Sequence, residues 1–179
     1  MSRLGKRPIA IPSGVTVEIK DNTVSVKGPK GTLSFEFKNE VAVKVSPEEG
    51  VVVEKKGKAK DAPAIWGTTA RMIENMIVGV TAGFQKQLEL NGVGFRMALA
   101  GKKINLALGF SHPVEVEVVE GIDVKIEGNT MTVAGIDKHA VGQFAANIKK
   151  LKPVEPYKGK GFKYVGEFVR RKEGKRSAA

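Results

Sequence analysis

The chain has 179 residues, no cysteine, and 30 Lys+Arg against 19 Asp+Glu, a formal net charge of +11. Without cysteine there is no disulfide framework, no thiolate nucleophile and no Cys-based zinc or iron–sulfur site, and the apolar runs fall far short of the ~18 residues of a membrane span. At 41% hydrophobic and 27% charged the composition is that of a folded protein, and MSRLGKRPIAIPSG at the start lacks the apolar core of a secretion signal, so a soluble, unprocessed, cytoplasmic chain is expected.

In chain order, residues 15–26, VTVEIKDNTVSV, alternate apolar and polar positions around Asp21 and Asn22, the pattern of two strands joined by a tight turn. Leu33, Phe35 and Phe37 continue the alternation, and Val51 and Val53 repeat it. A helix is expected after Asp61, an N-cap residue followed by Pro63, with Trp66, Ala70, Ile73, Ile77 and Val80 on one face. A short connection near 81–84 leads to a second copy of the same series. Residues 95–106, FRMALAGKKINL, match 15–26 at an offset of 80, with Gly101 and Lys102 in the turn. Val114, Val116 and Val118 follow, then Met131 and Val133, and then a helix after Asp137 carrying Val141, Phe144, Ala145, Ile148 and Leu151 and stopped by Pro153. The expected fold is therefore α+β, two tandem duplicated small domains spanning 1–82 and 83–179, each an antiparallel sheet packed against one helix.

Residue patterns that would carry catalysis are absent. His112 and His139 have no carboxylate at metal-ligand spacing, and Ser111 and His112, as neighbours in an extended segment, point to opposite faces. Gly92 and Gly94 lack the third glycine of a dinucleotide fingerprint, and no Gly-Lys is followed by Ser or Thr as a P-loop requires. Glu115 and Glu117 alternate with valines and read as the wet face of a strand, while Trp66, Met72 and Met76 read as helix packing. No catalytic residue, metal or cofactor is expected.

Charge is concentrated at one end. Residues 1–83 carry a net +4 and residues 84–148 a net −1, whereas residues 149–179 carry 11 basic and 3 acidic side chains, net +8. Within 149–176 the cations Lys149, Lys150, Lys152, Lys158, Lys160, Lys163, Arg170, Arg171 and Lys172 suit phosphates, and Tyr157, Phe162 and Tyr164 offer rings to unpaired bases. Gly159 and Gly161 would let backbone amides approach a nucleic-acid strand, and Pro153 and Pro156 limit the entropy lost on fixing the segment. Arg3, Lys6 and Arg7 form a second basic group, and the loop with Phe110, Ser111 and His112 is a weaker RNA-facing candidate. RNA is favoured over DNA because no basic recognition helix, zinc finger or zipper is present, and the Gly/Pro-interrupted run cannot form the amphipathic helix that a membrane surface requires.

SRLGKRPIAIPSGV, LNGVGFRMAL at 90–99, INLALGFSHPVEV at 104–116 and EPYKGKGFKY at 155–164 resemble the bacterial form of large-subunit ribosomal protein six, the L-six family, through nearly the whole chain. Val154 stands where many relatives have proline and Phe162 where a smaller aliphatic residue is usual, both leaving the charged and glycine positions of EPYKGKG intact. The resemblance implies a duplicated α+β fold and a structural, non-enzymatic role in the large ribosomal subunit. It also implies binding to 23S rRNA near the base of the acidic-protein stalk and the factor-binding region, beside neighbouring large-subunit proteins and close to translation factors. The alternative from another class is a nucleic-acid chaperone or regulator acting off the ribosome.

Overall fold

Alternating β-branched residues fold the first part of the chain into short antiparallel strands, as the period of 2 dictates. β1 (Thr16–Lys20), β2 (Thr23–Gly28) and β3 (Gly31–Glu36) form a three-stranded meander with Val17 opposite Val26 and Val24 opposite Phe35. β4 (Val41–Ser46) and β5 (Gly50–Lys55) form a separate hairpin, and Ile9 adds one antiparallel bridge to Val51. The computed structural model describes residues 5–46, 50–57 and 60–174, and its contacts divide into two units, Met1–Phe84 with Ile136–Lys138 and Gln85–Gly135 with His139–Ala179.

α1 (Ala62–Thr81) closes the first unit, with Pro63 in its first turn. Asp61 holds the cap position, but its side chain makes no capping hydrogen bond; its backbone carbonyl instead accepts from the N–H groups of Ala64 and Ile65 at 3.0 Å. The expected stripe is the buried one. Ala70, Ile73, Ile77 and Val80 join Met76, Val24, Val26, Phe37, Val41, Val51 and Val53 in a single core, where each large aliphatic side chain contributes ~1.5–3 kcal/mol. Trp66 lies at the rim of that core, and its indole N–H donates to the Val53 carbonyl at 2.6 Å.

The second unit repeats this order and adds to it. β7 (Arg96–Ala100), β8 (Lys103–Ala107) and β9 (Val114–Glu117) form its meander, β10 (Ile122–Glu127) and β11 (Thr130–Gly135) its hairpin, and α2 (Lys138–Leu151) its helix. The duplication extends to turn geometry: Asp21 and Gly101 occupy equivalent places between paired strands and both have positive φ, 52° and 62°. Asp tolerates that region better than most side chains, and Gly enters it freely. The additions are β6 (Phe84–Asn91) and β12 (Gly161–Tyr164), which extend the hairpin into a four-stranded sheet in the order β10-β11-β6-β12. In the first unit, among the described residues, the place of β6 is taken by the Ile9 bridge to Val51. The core comprises Leu88, Leu90, Ile104, Leu106, Leu108, Ile122, Val124, Met131, Val133, Val141, Phe144, Ala145, Ile148 and Phe162, with α2 laid over the strands.

Candidate nucleic-acid interface

The basic segment is folded over most of its length, and α2 is where it starts. Lys149 and Lys150 stand in the last helical turn, where cations suit the carbonyl end of the helix, and Pro153 lies two residues past the end at Leu151. A loop follows that is closed by its own bonds: Glu155 N–H donates to the Lys160 carbonyl at 2.9 Å, and Lys158 N–H donates to Glu155 Oε1 at 3.0 Å. The chain then enters β12, which pairs antiparallel with β6 through Gly161–Asn91, Phe162–Leu90, Lys163–Glu89 and Tyr164–Leu88. Beyond the strand, Val165 N–H donates to Gln87 and Lys172 N–H to the Pro156 carbonyl at 2.9 Å, so the extended tail is tied back to the loop.

This folding separates the expected site residues into groups. Lys150, Lys158, Arg170, Arg171 and Lys172 are exposed, Lys152 and Lys160 are half-buried, and none of the seven forms an ion pair among the described residues. Tyr157 is 57% exposed and available as a stacking ring. Lys6 and Arg7 are exposed in the first unit, Ser111 and His112 are exposed in the second, and Arg3 lies outside the described residues.

Several residues hold the protein together in ways the sequence did not disclose. Phe162 is fully buried in the second core and presents no ring to solvent, because period-2 alternation in β12 turns it inward. Lys149 donates to both carboxylate oxygens of Glu167 at 2.6 Å, and Lys163 pairs with Glu89 at 3.1 Å directly across the β12–β6 ladder, so the positive charge of both is already opposed. Tyr164 packs against the core with the ammonium groups of Lys149 and Lys86 at 4.6 and 5.5 Å from its ring centroid. Gly161 is required by an internal contact: at φ 126°, a Cβ there would stand 2.6 Å from the Pro153 carbonyl oxygen and 2.7 Å from that of Lys152. Gly159, also buried, has φ 71°, and its open side faces the Arg171 guanidinium.

Glu167 is the fastening point of the tail. Besides the Lys149 ammonium it accepts the Tyr164 N–H at 2.8 Å, while its own N–H donates to the Tyr164 carbonyl at 3.0 Å. The Lys149 hydrogen bond, then the Tyr164 N–H, hold its carboxyl below the ordinary glutamate range against the opposing effect of burial. A carboxylate with a lowered folded pKa contributes stability that is present above the unfolded value and is lost as pH falls through the folded one. The Tyr164 amide resonance should therefore titrate with a midpoint below the ordinary glutamate value, and Glu167→Gln should abolish that titration. A midpoint at or above the ordinary value would contradict the geometry.

No three His, Asp or Glu side chains among the described residues come together as a metal site. The arrangement offers instead a row of cations without ion pairs among the described residues, with the exposed rings of Tyr157 and Phe168 in the same segment, on a backbone fixed by strand pairing and loop closure. The model of the family described as Ribosomal protein L6 matches residues 11–83 and, a second time, residues 91–165. The chain belongs to the ribosomal protein L6 family. The double match is the sequence counterpart of the two α+β units, and membership of the L6 family makes the chain a ribosomal protein and not an enzyme. It is 51% identical over 179 residues to the large ribosomal subunit protein uL6 of Fusobacterium nucleatum subsp. nucleatum, covering 99% of this chain and 100% of that one. It is 52% identical over 177 residues to the uL6 protein of Clostridium perfringens strain SM101, covering 98% of each. With the Paracoccus denitrificans uL6 protein the identity is 51% over 178 residues, 98% of this chain and 99% of that one.

Proposed function

We propose that this chain is a structural constituent of the large subunit of a bacterial, cytoplasmic ribosome, and that it binds 23S rRNA near the base of the acidic-protein stalk and the factor-binding region, among neighbouring large-subunit proteins. Its domains are residues 1–82 and 83–179, and the second supplies most of the RNA contacts. Lys150, Lys152, Lys158, Lys160, Arg170, Arg171 and Lys172 meet phosphates, Tyr157 stacks or packs, and Lys6 and Arg7, with Arg3, give a second, smaller contact. Ser111 and His112 are a weaker RNA contact, exposed residues that follow Phe110, whose ring lies 4.9 Å from the Lys152 ammonium. The observation that carries this reading is the set of seven cations without carboxylate partners among the described residues, on a segment whose own hydrogen bonds already fix it. An electrostatic anchor of this kind binds by releasing counterions and positions the RNA rather than transforming it.

The test is a salt series on the full chain with 23S rRNA against excess transfer RNA. Each phosphate neutralised contributes roughly 0.7–0.9 to the slope of log K against log salt, so replacing Lys150, Lys158, Arg170 and Arg171 together by alanine should flatten it by about 3. Replacing Lys149 and Lys163 should change the slope little, since both already face carboxylates. Equal competition by transfer RNA would remove the specific anchor and leave either prior assembly with other proteins or the off-ribosome chaperone to carry the function.

A further inference from the structure

Two turns of the second unit meet beside the end of α2. One, residues 92–95, carries Val93, which at 93% is the most exposed large apolar side chain described; the other, residues 108–113, carries Phe110 at 46% exposure. Phe95 joins them. Its ring fills the space a Cβ would need at Gly92, 2.5 Å away, and lies 3.1 Å from the position of one at Gly109, and its N–H donates to the Gly92 carbonyl at 3.3 Å. With φ 147° at Gly92 and 75° at Gly109, both turns use backbone conformations that L side chains rarely adopt. Lys152 completes the cluster, its ammonium 4.9 Å from the Phe110 centroid and 5.8 Å from that of Phe95.

Holding Phe110 and Val93 in water is unfavourable, and the sequence goes to unusual backbone lengths to keep both turns in place. The charge around them says what the surface takes. Lys152 sits against the rings, exposed Arg96 follows Phe95, exposed Lys150 lies two residues before Lys152, and neither NGVGFR nor GFSHP contains a carboxylate. A duplex hides its base faces and offers phosphates and 2′-hydroxyls, which gain nothing from a phenyl ring or a valine. An unpaired nucleotide offers both a π face for the ring and a phosphate for the ammonium.

We propose that turns 92–95 and 108–113, with Lys152, form a receptor for a single unpaired nucleobase of the bound RNA, Phe110 being the stacking ring. This rests on the RNA-binding reading above and adds what the cations alone do not give: a contact to a base where the chain leaves the duplex. Lys152 lies over the Phe110 ring, and the exposed remainder of that ring takes the base. Val93 supplies apolar contact, and Ser111 and His112 bring hydrogen-bonding groups next to the ring. The basic segment grips the backbone, and the turns choose where along it the protein sits.

The experiment is chemical probing of 23S rRNA, with base-specific and backbone-specific reagents in parallel, using the full chain and its Phe110→Leu form. Leucine keeps apolar volume at a surface position, so the variant should fold as the parent does, which circular dichroism checks. The expected result is at least one unpaired base protected by the parent and reactive with Phe110→Leu, a backbone footprint common to both, and roughly tenfold weaker binding, within the range for one base on one aromatic ring. Base protection identical in the two proteins would overturn the receptor while leaving the RNA anchor standing. An identical footprint together with failure of Phe110→Leu to enter large subunits would also overturn it and assign the patch to a protein neighbour. No footprint of either kind from the parent would remove the RNA reading, and the receptor with it.

Discussion

Phe162→Ala is expected to destabilise the second unit by ~3–5 kcal/mol, the range for removing a buried aromatic side chain without backfilling. Phe162 has no exposed surface and lies in the core with Leu88, Leu90 and Ile148. It also pairs with Leu90 across the β12–β6 ladder, and its N–H donates to the Lys152 carbonyl at 2.8 Å. Its loss therefore weakens both the packing under β12 and the attachment of the basic segment. Against the ~5–15 kcal/mol of a typical domain this is a large fraction. Urea unfolding followed by circular dichroism should show an earlier transition, and amide exchange at Leu88 and Leu90 should accelerate. RNA affinity should fall as a consequence of a detached β12. If Phe162 were an exposed stacking ring, as its place between basic residues suggests from sequence, stability would move by no more than about 0.5 kcal/mol and only RNA binding would suffer.

That contrast marks where sequence reasoning ends. The duplication, the two meanders and both helices are legible because apolar spacing switches from period 2 to period 3.6 at matching places in the two halves, and because Asp21 and Gly101 punctuate equivalent turns. β12 is not legible: GFKY is four residues long, opens on a glycine and sits among lysines, so its alternation is too brief to stand out from a loop. β6 is hidden in a different way, since FQKQLELN places polar residues at its start and buries only Leu88 and Leu90. β4 and β10 alternate well enough, but as first strands of hairpins they become evident only beside their partners β5 and β11. The site is legible as a charge total and not as a charge map. Glu167 is 18 residues from Lys149 and Glu89 lies across a ladder from Lys163, and no local pattern tells which lysines have carboxylates waiting for them. Asp61 shows the same limit at short range, with the right residue at the cap position and no bond from its side chain.

Gly161 and Gly159 stand two residues apart in one motif and should respond to alanine differently, the first mainly in stability and the second mainly in RNA binding. At Gly161 the new Cβ would meet backbone on arrival, 2.6 Å from the Pro153 oxygen and 2.8 Å from its carbonyl carbon, with φ at 126°. Those atoms belong to the segment that bridges to Phe162, so they cannot retreat without opening the bridge. Backbone strain of ~1–3 kcal/mol and a similar cost for overpacking add in the same direction, and Gly161→Ala should cost ~2–6 kcal/mol. At Gly159 the φ of 71° costs about 1–2 kcal/mol for a non-glycine residue, but the nearest neighbour is the Arg171 Nη2 at 3.2 Å, the far end of a flexible side chain that can give way. Gly159→Ala should therefore leave the unfolding transition within about 2 kcal/mol of the parent. Its effect should appear in RNA binding, through displacement of one guanidinium, as a salt slope shallower by at most about 1. Thermal unfolding and the salt series measured on both variants separate a glycine that the fold requires from one that sets the position of a binding charge. If Gly161→Ala unfolds like the parent while losing RNA, close approach of the RNA backbone, and not the Lys152–Pro153 carbonyls, is what demands glycine there.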